Sequence, residues 1–136
     1  MPLRKSLCLG AMLIGLITGL VACATLPHGV VRVPRRYDEV FAAALAAVQE
    51  AEFTVLVQER ATGTIGAAKP LLGTAGESLR MTVRLTPTST GVTVVATVVP
   101  PTGPLATSEK PCKCHVKRFV AALEHRMPEV QVVTIE

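Results

Sequence analysis

The stretches SLRMTVRLT, Ser78–Thr86, and GVTVVATVV, Gly91–Val99, decide the fold. In the first, Leu79, Met81, Val83 and Leu85 alternate with Arg80, Thr82, Arg84 and Thr86. In the second, Val92, Val94, Ala96 and Val98 take the apolar side. Successive side chains of a strand point to opposite faces, so this period of two describes a sheet with one dry and one wet face. Between them, residues 87–91 are turn formers and predict a hairpin loop.

Upstream, FTVLVQER also alternates, and Thr62-Gly63 marks a turn before a short strand, Thr64–Ala68. Residues 70–77, with Gly73 and Gly76, read as a loop. The period changes to 3.6 over Asp38–Ala51, where Val40, Phe41, Ala44, Leu45, Val48 and Ala51 form one stripe. Asp38 and Glu39 sit at the start of that helix, where negative charge complements the helix dipole. Downstream, Pro100–Pro111 is a proline-rich connection. A second helix follows over Cys112–Met127, with Val116, Phe119, Val120, Leu123 and Met127 as its stripe and Pro128 as its stop. The tail QVVTIE suits a last short strand. Val30, Val31 and Val33, flanked by Pro27 and Pro34, suit an edge strand. The expected fold is α+β and two-layered: an antiparallel meander of 3–5 strands with both helices packed on its one dry face.

The chain has 136 residues, room for one small domain. It has no Trp and 3% aromatics, so its core must be Val, Leu, Ala and Ile. The net charge is +4, yet Arg4 and Lys5 belong to the N-terminal segment; without them 12 basic residues face 10 acidic ones. That balance gives no argument for nucleic acid.

Residues 1–23 have three parts. Arg4 and Lys5 form a positive start, Leu7–Leu20 is an apolar run of 14 residues, and Leu20-Val21-Ala22-Cys23 closes it. The run is short for a bilayer crossing, which takes about 20 residues. The closing four residues resemble the lipobox of bacterial lipoprotein precursors at every position. The resemblance implies a diacylglyceryl group on the thiol of Cys23, cleavage between Ala22 and Cys23, and often an N-acyl chain on the new amine. Two or three acyl chains hold a small domain on a membrane, since each buried CH₂ adds about 0.8 kcal/mol. Two alternatives stand beside it. The apolar run extends from Leu7 to Leu26, and with Gly15 and Gly19 as a GxxxG it would make an uncleaved anchor. Ordinary secretory cleavage after Ala22 is the other. All three export the domain. Ala24 follows the cysteine in place of Asp, and for enteric-type bacteria the lipobox resemblance then implies outer-membrane sorting, with the domain facing the periplasm. The expected organisation is a signal peptide over 1–22, a lipidated tether over 23–36 and an α+β domain over 37–136.

The strings YDEVFAAALAAVQEAEFTV, ERATGTIGA, SLRMTVRLT and GVTVVATV resemble a group of small bacterial lipoproteins, and one helix-grip repeat of lipoprotein C of the outer-membrane β-barrel assembly machine. The resemblance spans about residues 30–127 and implies a non-catalytic envelope domain. It supplies no polar binding motif. Cys112-Lys113-Cys114-His115 departs from the pattern.

Cys112, Cys114 and His115 are the candidate metal ligands. A CxC followed by His suits a soft ion such as Cu(I), with His28 as a distant fourth ligand. The spacing fits neither haem attachment nor a zinc ribbon. On a helix Cys112 and Cys114 diverge by about 200°, so both reach one ion only if the helix begins after them. In an oxidising compartment the two suit a local disulfide or pairing with another chain. An incidental structural role is the third reading. The carboxylates are scattered, and Ser78, Ser89 and Ser108 lack a nucleophile context. No glycine cluster forms a phosphate loop. No enzymatic activity and no cofactor beyond the lipid on Cys23 are expected. The wet face with Arg80 and Arg84 suits either a plain solvent face with edge-protecting charges or a contact with an acidic partner or lipid headgroups. The expected function is a lipid-anchored scaffold or binding domain for an envelope protein. The alternative is a soft-metal-binding or redox-responsive lipoprotein using Cys112 and Cys114.

Overall fold

The computed structural model describes residues 26–70, 78–99 and 113–136. Ala22, Cys23 and Cys112 lie outside them. In chain order the elements are β1 (His28–Val33), α1 (Tyr37–Glu50), β2 (Thr54–Glu59), β3 (Thr64–Pro70), β4 (Ser78–Thr88), β5 (Gly91–Val99), α2 (Lys113–Arg126) and β6 (Gln131–Ile135). The strands form one antiparallel sheet in the order β2-β3-β4-β5-β1-β6.

The class is α+β, as the alternation indicates, but the sheet has six strands where 3–5 were expected. It is also more than a meander. Strands β2 to β5 follow one another across the sheet, and then β1 inserts between β5 and β6. The expected edge strand is therefore interior. Its prolines do not forbid this. Pro27 and Pro34 both lie outside His28–Val33, so no ladder donor is missing. Gly29, Val31 and Val33 are buried, and β6 closes on β1 through reciprocal bonds between His28 and Glu136, both 2.8 Å.

The dry face is the predicted one. Leu79, Met81, Val83 and Leu85 of β4 and Val92, Val94, Ala96 and Val98 of β5 are all buried. Helix α1 adds Val40, Phe41, Ala44, Ala47 and Val48, and α2 adds Val116, Phe119, Val120, Ala122 and Leu123, to the same cluster. Ala47 takes the buried place that the helical stripe assigned to Leu45, which is half-buried. Burying a Val or Leu side chain is worth about 1.5–3 kcal/mol, so this single face carries the fold's stability.

Two turns set the strand register. Gly63, at φ +71°, presents its carbonyl to the Leu85 amide at 2.8 Å, and a Cβ there would collide with the Leu85 carbonyl. Only glycine fits both demands. The hairpin between β4 and β5 is tighter than the expected loop: β4 continues through Thr88, and Thr88 pairs with Gly91. Helix α1 ends with Glu52 in the left-handed region at φ 70°. The Phe53 amide reaches the Val48 carbonyl at 3.2 Å and the Glu52 amide reaches Gln49 at 2.9 Å. This is a Schellman close, which normally uses glycine.

Candidate functional site

Helix α2 is where the sequence placed its chemistry. Cys114 is disulfide-bonded. A sulfur held in a disulfide offers no thiolate to a metal. His115 is half-buried and turns toward the helix-side core, where its ring meets Phe53 edge-on at 5.7 Å. Its Nδ1 has no hydrogen-bond partner. Burial first, then the neighbouring charges of Lys69 and Arg118, keep its pKa below the ordinary histidine value. Those two cations would equally oppose a bound metal ion. His28, the distant fourth ligand, is held elsewhere. It lies in register with Thr97 on the sheet's other face, accepts Glu136 as an ion partner at 3.7 Å, and has its Nδ1 3.1 Å from the Leu26 carbonyl. The sheet separates His28 from His115. Among the described residues no group of three or more His, Cys, Asp or Glu side chains could hold a metal.

The ion pairs sit on the helix side and at the ends of the elements. Lys69 and Arg118 share Glu52 at 3.1 and 3.6 Å, and Arg126 meets Glu50 at 3.0 Å. Arg35 bridges Glu39 and Glu129 at 3.4 and 2.7 Å, and Arg60 meets Asp38 at 3.0 Å. Hydrogen bonding and charge from Lys69, then charge from Arg118, lower the Glu52 pKa. Exposed pairs of this kind contribute little each, and they serve as tacks between elements. A groove beside the β4–β5 turn, lined by Arg32, Val33, Thr90, Gly91, Thr93 and Gln131 among others, contains no acid, thiol or histidine.

Two features remain that face outward with unmet bonding capacity. The first is the β2 edge. Leu56 is 64% exposed and Val57 46% exposed, and among the described residues β2 has a strand neighbour, β3, on one side only. A bulge between Val55 and Val57 twists this edge. The opposite edge, β6, carries exposed Val132 and Val133, and a register shift interrupts its pairing with β1. The second is the open sheet face. Val30, Arg32, Arg80, Thr82, Arg84, Thr93, Val95 and Thr97 stand on it, and among the described residues no helix covers them. The sequence marked Arg80 and Arg84 as part of this face. It missed Arg32, which was assigned to the tether, although alternation in HGVVRV places Arg32 with His28 and Val30. Period two sets Leu56 with Thr54 and Gln58 but puts Val57 with Phe53 and Val55; the bulge after Val55 turns Val57 outward instead, opposite Gly66.

No protein-family model matches the chain, and the search of curated proteins returns no match. The likeness to the assembly-machine lipoprotein repeat therefore rests on the quoted strings.

Proposed function

We propose that this protein is a lipid-anchored, non-enzymatic envelope lipoprotein that holds a protein partner close to a bacterial membrane, on the periplasmic side of the outer membrane. The observation that carries the binding role is the β2 edge, unpaired among the described residues, with Leu56 and Val57 exposed on it. An extended segment of a partner adds there as a seventh strand: main-chain hydrogen bonds give affinity, and alternate side chains give selectivity. The anchor on Cys23 raises the local concentration of this small surface, so a weak edge contact suffices. Membership of the lipobox-bearing group, with residues 1–22 removed and Cys23 acylated, is part of the same reading.

The test is a photo-crosslinking amino acid placed at Leu56 in the full chain, in cells. A discrete adduct that a Val57→Lys substitution abolishes, and that position Ala42 on α1 does not give, supports the edge. Equal crosslinking at both positions refutes it.

One observation favours a second reading. Cys114 is disulfide-bonded, and structural disulfides belong to oxidising compartments. A redox-responsive lipoprotein using Cys112 and Cys114 would show a reducible bridge whose state changes partner crosslinking at Leu56.

A further inference from the structure

Charge is distributed unequally between the two sides of the sheet. Away from the open face Arg35, Arg60, Lys69, Arg118 and Arg126 each meet a carboxylate, while Arg36, Lys113 and Lys117 have no ion partner among the described residues. On the open face Arg32, Arg80 and Arg84 are exposed and have no ion partner among the described residues. Among the described residues carboxylates reach this face only at its rims. Glu59, in register with Thr64, accepts a bond from Thr62 at 3.1 Å, and Glu136 sits against His28. Between the arginines the surface is low and mixed, with Val30 beside Val95 and Thr97 beside Thr82; Gly66 and Val57 continue the face toward the β2 rim. Cross-strand register sets Arg84 opposite Val95, with Arg80 opposite Val99, and Arg32 opposite Thr93. The three guanidinium groups are thus spread along the face.

The point where the chain enters the fold constrains where this face can go. Pro27 is buried, and its carbonyl accepts the Val98 amide at 3.1 Å. Three residues, 24–26, separate it from Cys23. A chain spans at most about 3.6 Å per residue, so a lipidated Cys23 lies within about 14 Å of Pro27 however those residues run. The domain cannot stand away from the bilayer. At the same end of the sheet α2 begins, with Lys113 and Lys117 exposed on it and Val116 packed over Gly29.

We propose that the open sheet face docks on anionic phospholipid headgroups through Arg32, Arg80 and Arg84, so that the domain lies sheet-down beside its anchor. This rests on the reading that Cys23 carries the lipid. Guanidinium groups suit phosphate oxygens because their donors form a planar fork. Thr82, Thr93 and Thr97 add hydroxyl donors, and Val30 and Val95 meet the headgroup layer without leaving a buried charge unpaired. Such docking leaves the helix layer and the main-chain groups of the β2 edge free for a protein partner. Each arginine near an anionic surface shifts the balance about 5-fold toward the docked orientation, and removing all three costs about 100-fold.

The sequence has no Trp, so a single introduced Trp reports its own surroundings. Full chains carrying Val95→Trp on the open face, or Ala121→Trp on the exposed side of α2, are purified from membranes and reconstituted. The vesicles are either all phosphatidylcholine or contain phosphatidylglycerol, each with the same fraction of nitroxide-headgroup lipid. Retention on the phosphatidylcholine vesicles reads the anchor alone. Quenching that depends on phosphatidylglycerol reads the face alone. The expected result is strong quenching of Trp at 95 only with phosphatidylglycerol, weak quenching at 121, and loss of the effect at 95 when Arg32, Arg80 and Arg84 become Gln. Thr97→Trp serves in place of Val95→Trp if the latter is misfolded. Quenching independent of the anionic lipid, equal quenching at 95 and 121, or an unchanged triple variant overturns the proposal; the face is then open to a protein. Absence of the chain from neutral vesicles overturns the anchor instead.

Discussion

Replacing Gly29 by Ala gives opposite outcomes for a strand left uncovered and for one packed beneath α2. Where nothing covers it, removing a glycine from a strand stabilises by about 0.5–1 kcal/mol, because the unfolded chain loses freedom. In the structure Gly29 lies beneath α2, and a Cβ built on it would come within 2.7 Å of Val116 Cγ1, with Ile135 Cγ1 and Val120 Cγ2 each at 3.6 Å. Carbon atoms sit best about 3.5–4.0 Å apart, so β1 and α2 must separate or Val116 must move. Val116 is fully buried and branched at Cβ, so it has no free rotamer to adopt. Overpacking of this kind costs about 1–3 kcal/mol. Net of the glycine gain, Gly29→Ala loses about 1–2 kcal/mol, which for a domain of this size is about 4–10 °C in Tm. Val116→Ala alone removes two buried methyl groups and costs about 2–3 kcal/mol. In the double variant the new Cβ enters the space Val116 vacates, so the two costs do not add; the coupling is about 1 kcal/mol or more, above the usual additivity error of about 0.3–0.5 kcal/mol. Urea unfolding of the four proteins, followed by circular dichroism, measures the cycle. A neutral or stabilising Gly29→Ala, or strictly additive costs, would refute the packing of α2 over β1.

Three further outcomes are expected. Glu52→Gly raises Tm by relieving a left-handed residue at the close of α1, whereas Glu52→Gln keeps the backbone and only loses its ties to Lys69 and Arg118. Because the Glu52 carboxyl is held below its ordinary 4.5, those ties are full above that pH and fade as pH falls beneath it, so wild type and Gln variant should converge in acid melts. His115 is held below its ordinary 6.5. The unfolded chain therefore binds the proton first, and stability declines as pH falls below about 6.5; His115→Phe should flatten the difference between urea midpoints at pH 7.5 and 5.5, and an unchanged difference would contradict the assignment. Cys114 should resist alkylation in the native, unreduced protein and label after dithiothreitol; immediate labelling would show a free thiol.

Much of the fold is written locally. Alternation in SLRMTVRLT and GVTVVATVV names both strands and their dry face, and the stripe from Val40 to Val48 names the first helix. What local pattern does not contain is the choice of neighbour. HGVVRV alternates equally well at an edge or inside, and only its long-range pairing with β5 and β6 decides. The exposure of Val57 is illegible for a related reason: period two puts it with Phe53 and Val55, and only the bulge in the pairing with β3 turns it outward. At the CxCH site the residue types invite a metal, but the direction of His115 depends on Phe53, Lys69 and Arg118, which come from other elements. The arginine face was half legible. Arg80 and Arg84 declare themselves through period two, and Arg32 joins them only through the register of β1 against β5.

The most direct measurement is the intact mass of the protein extracted from bacterial membranes. A polypeptide that starts at Cys23 and carries a diacylglyceryl adduct is the predicted result. A chain still beginning at Met1, or one cut after Ala22 with an unmodified Cys23, would contradict it.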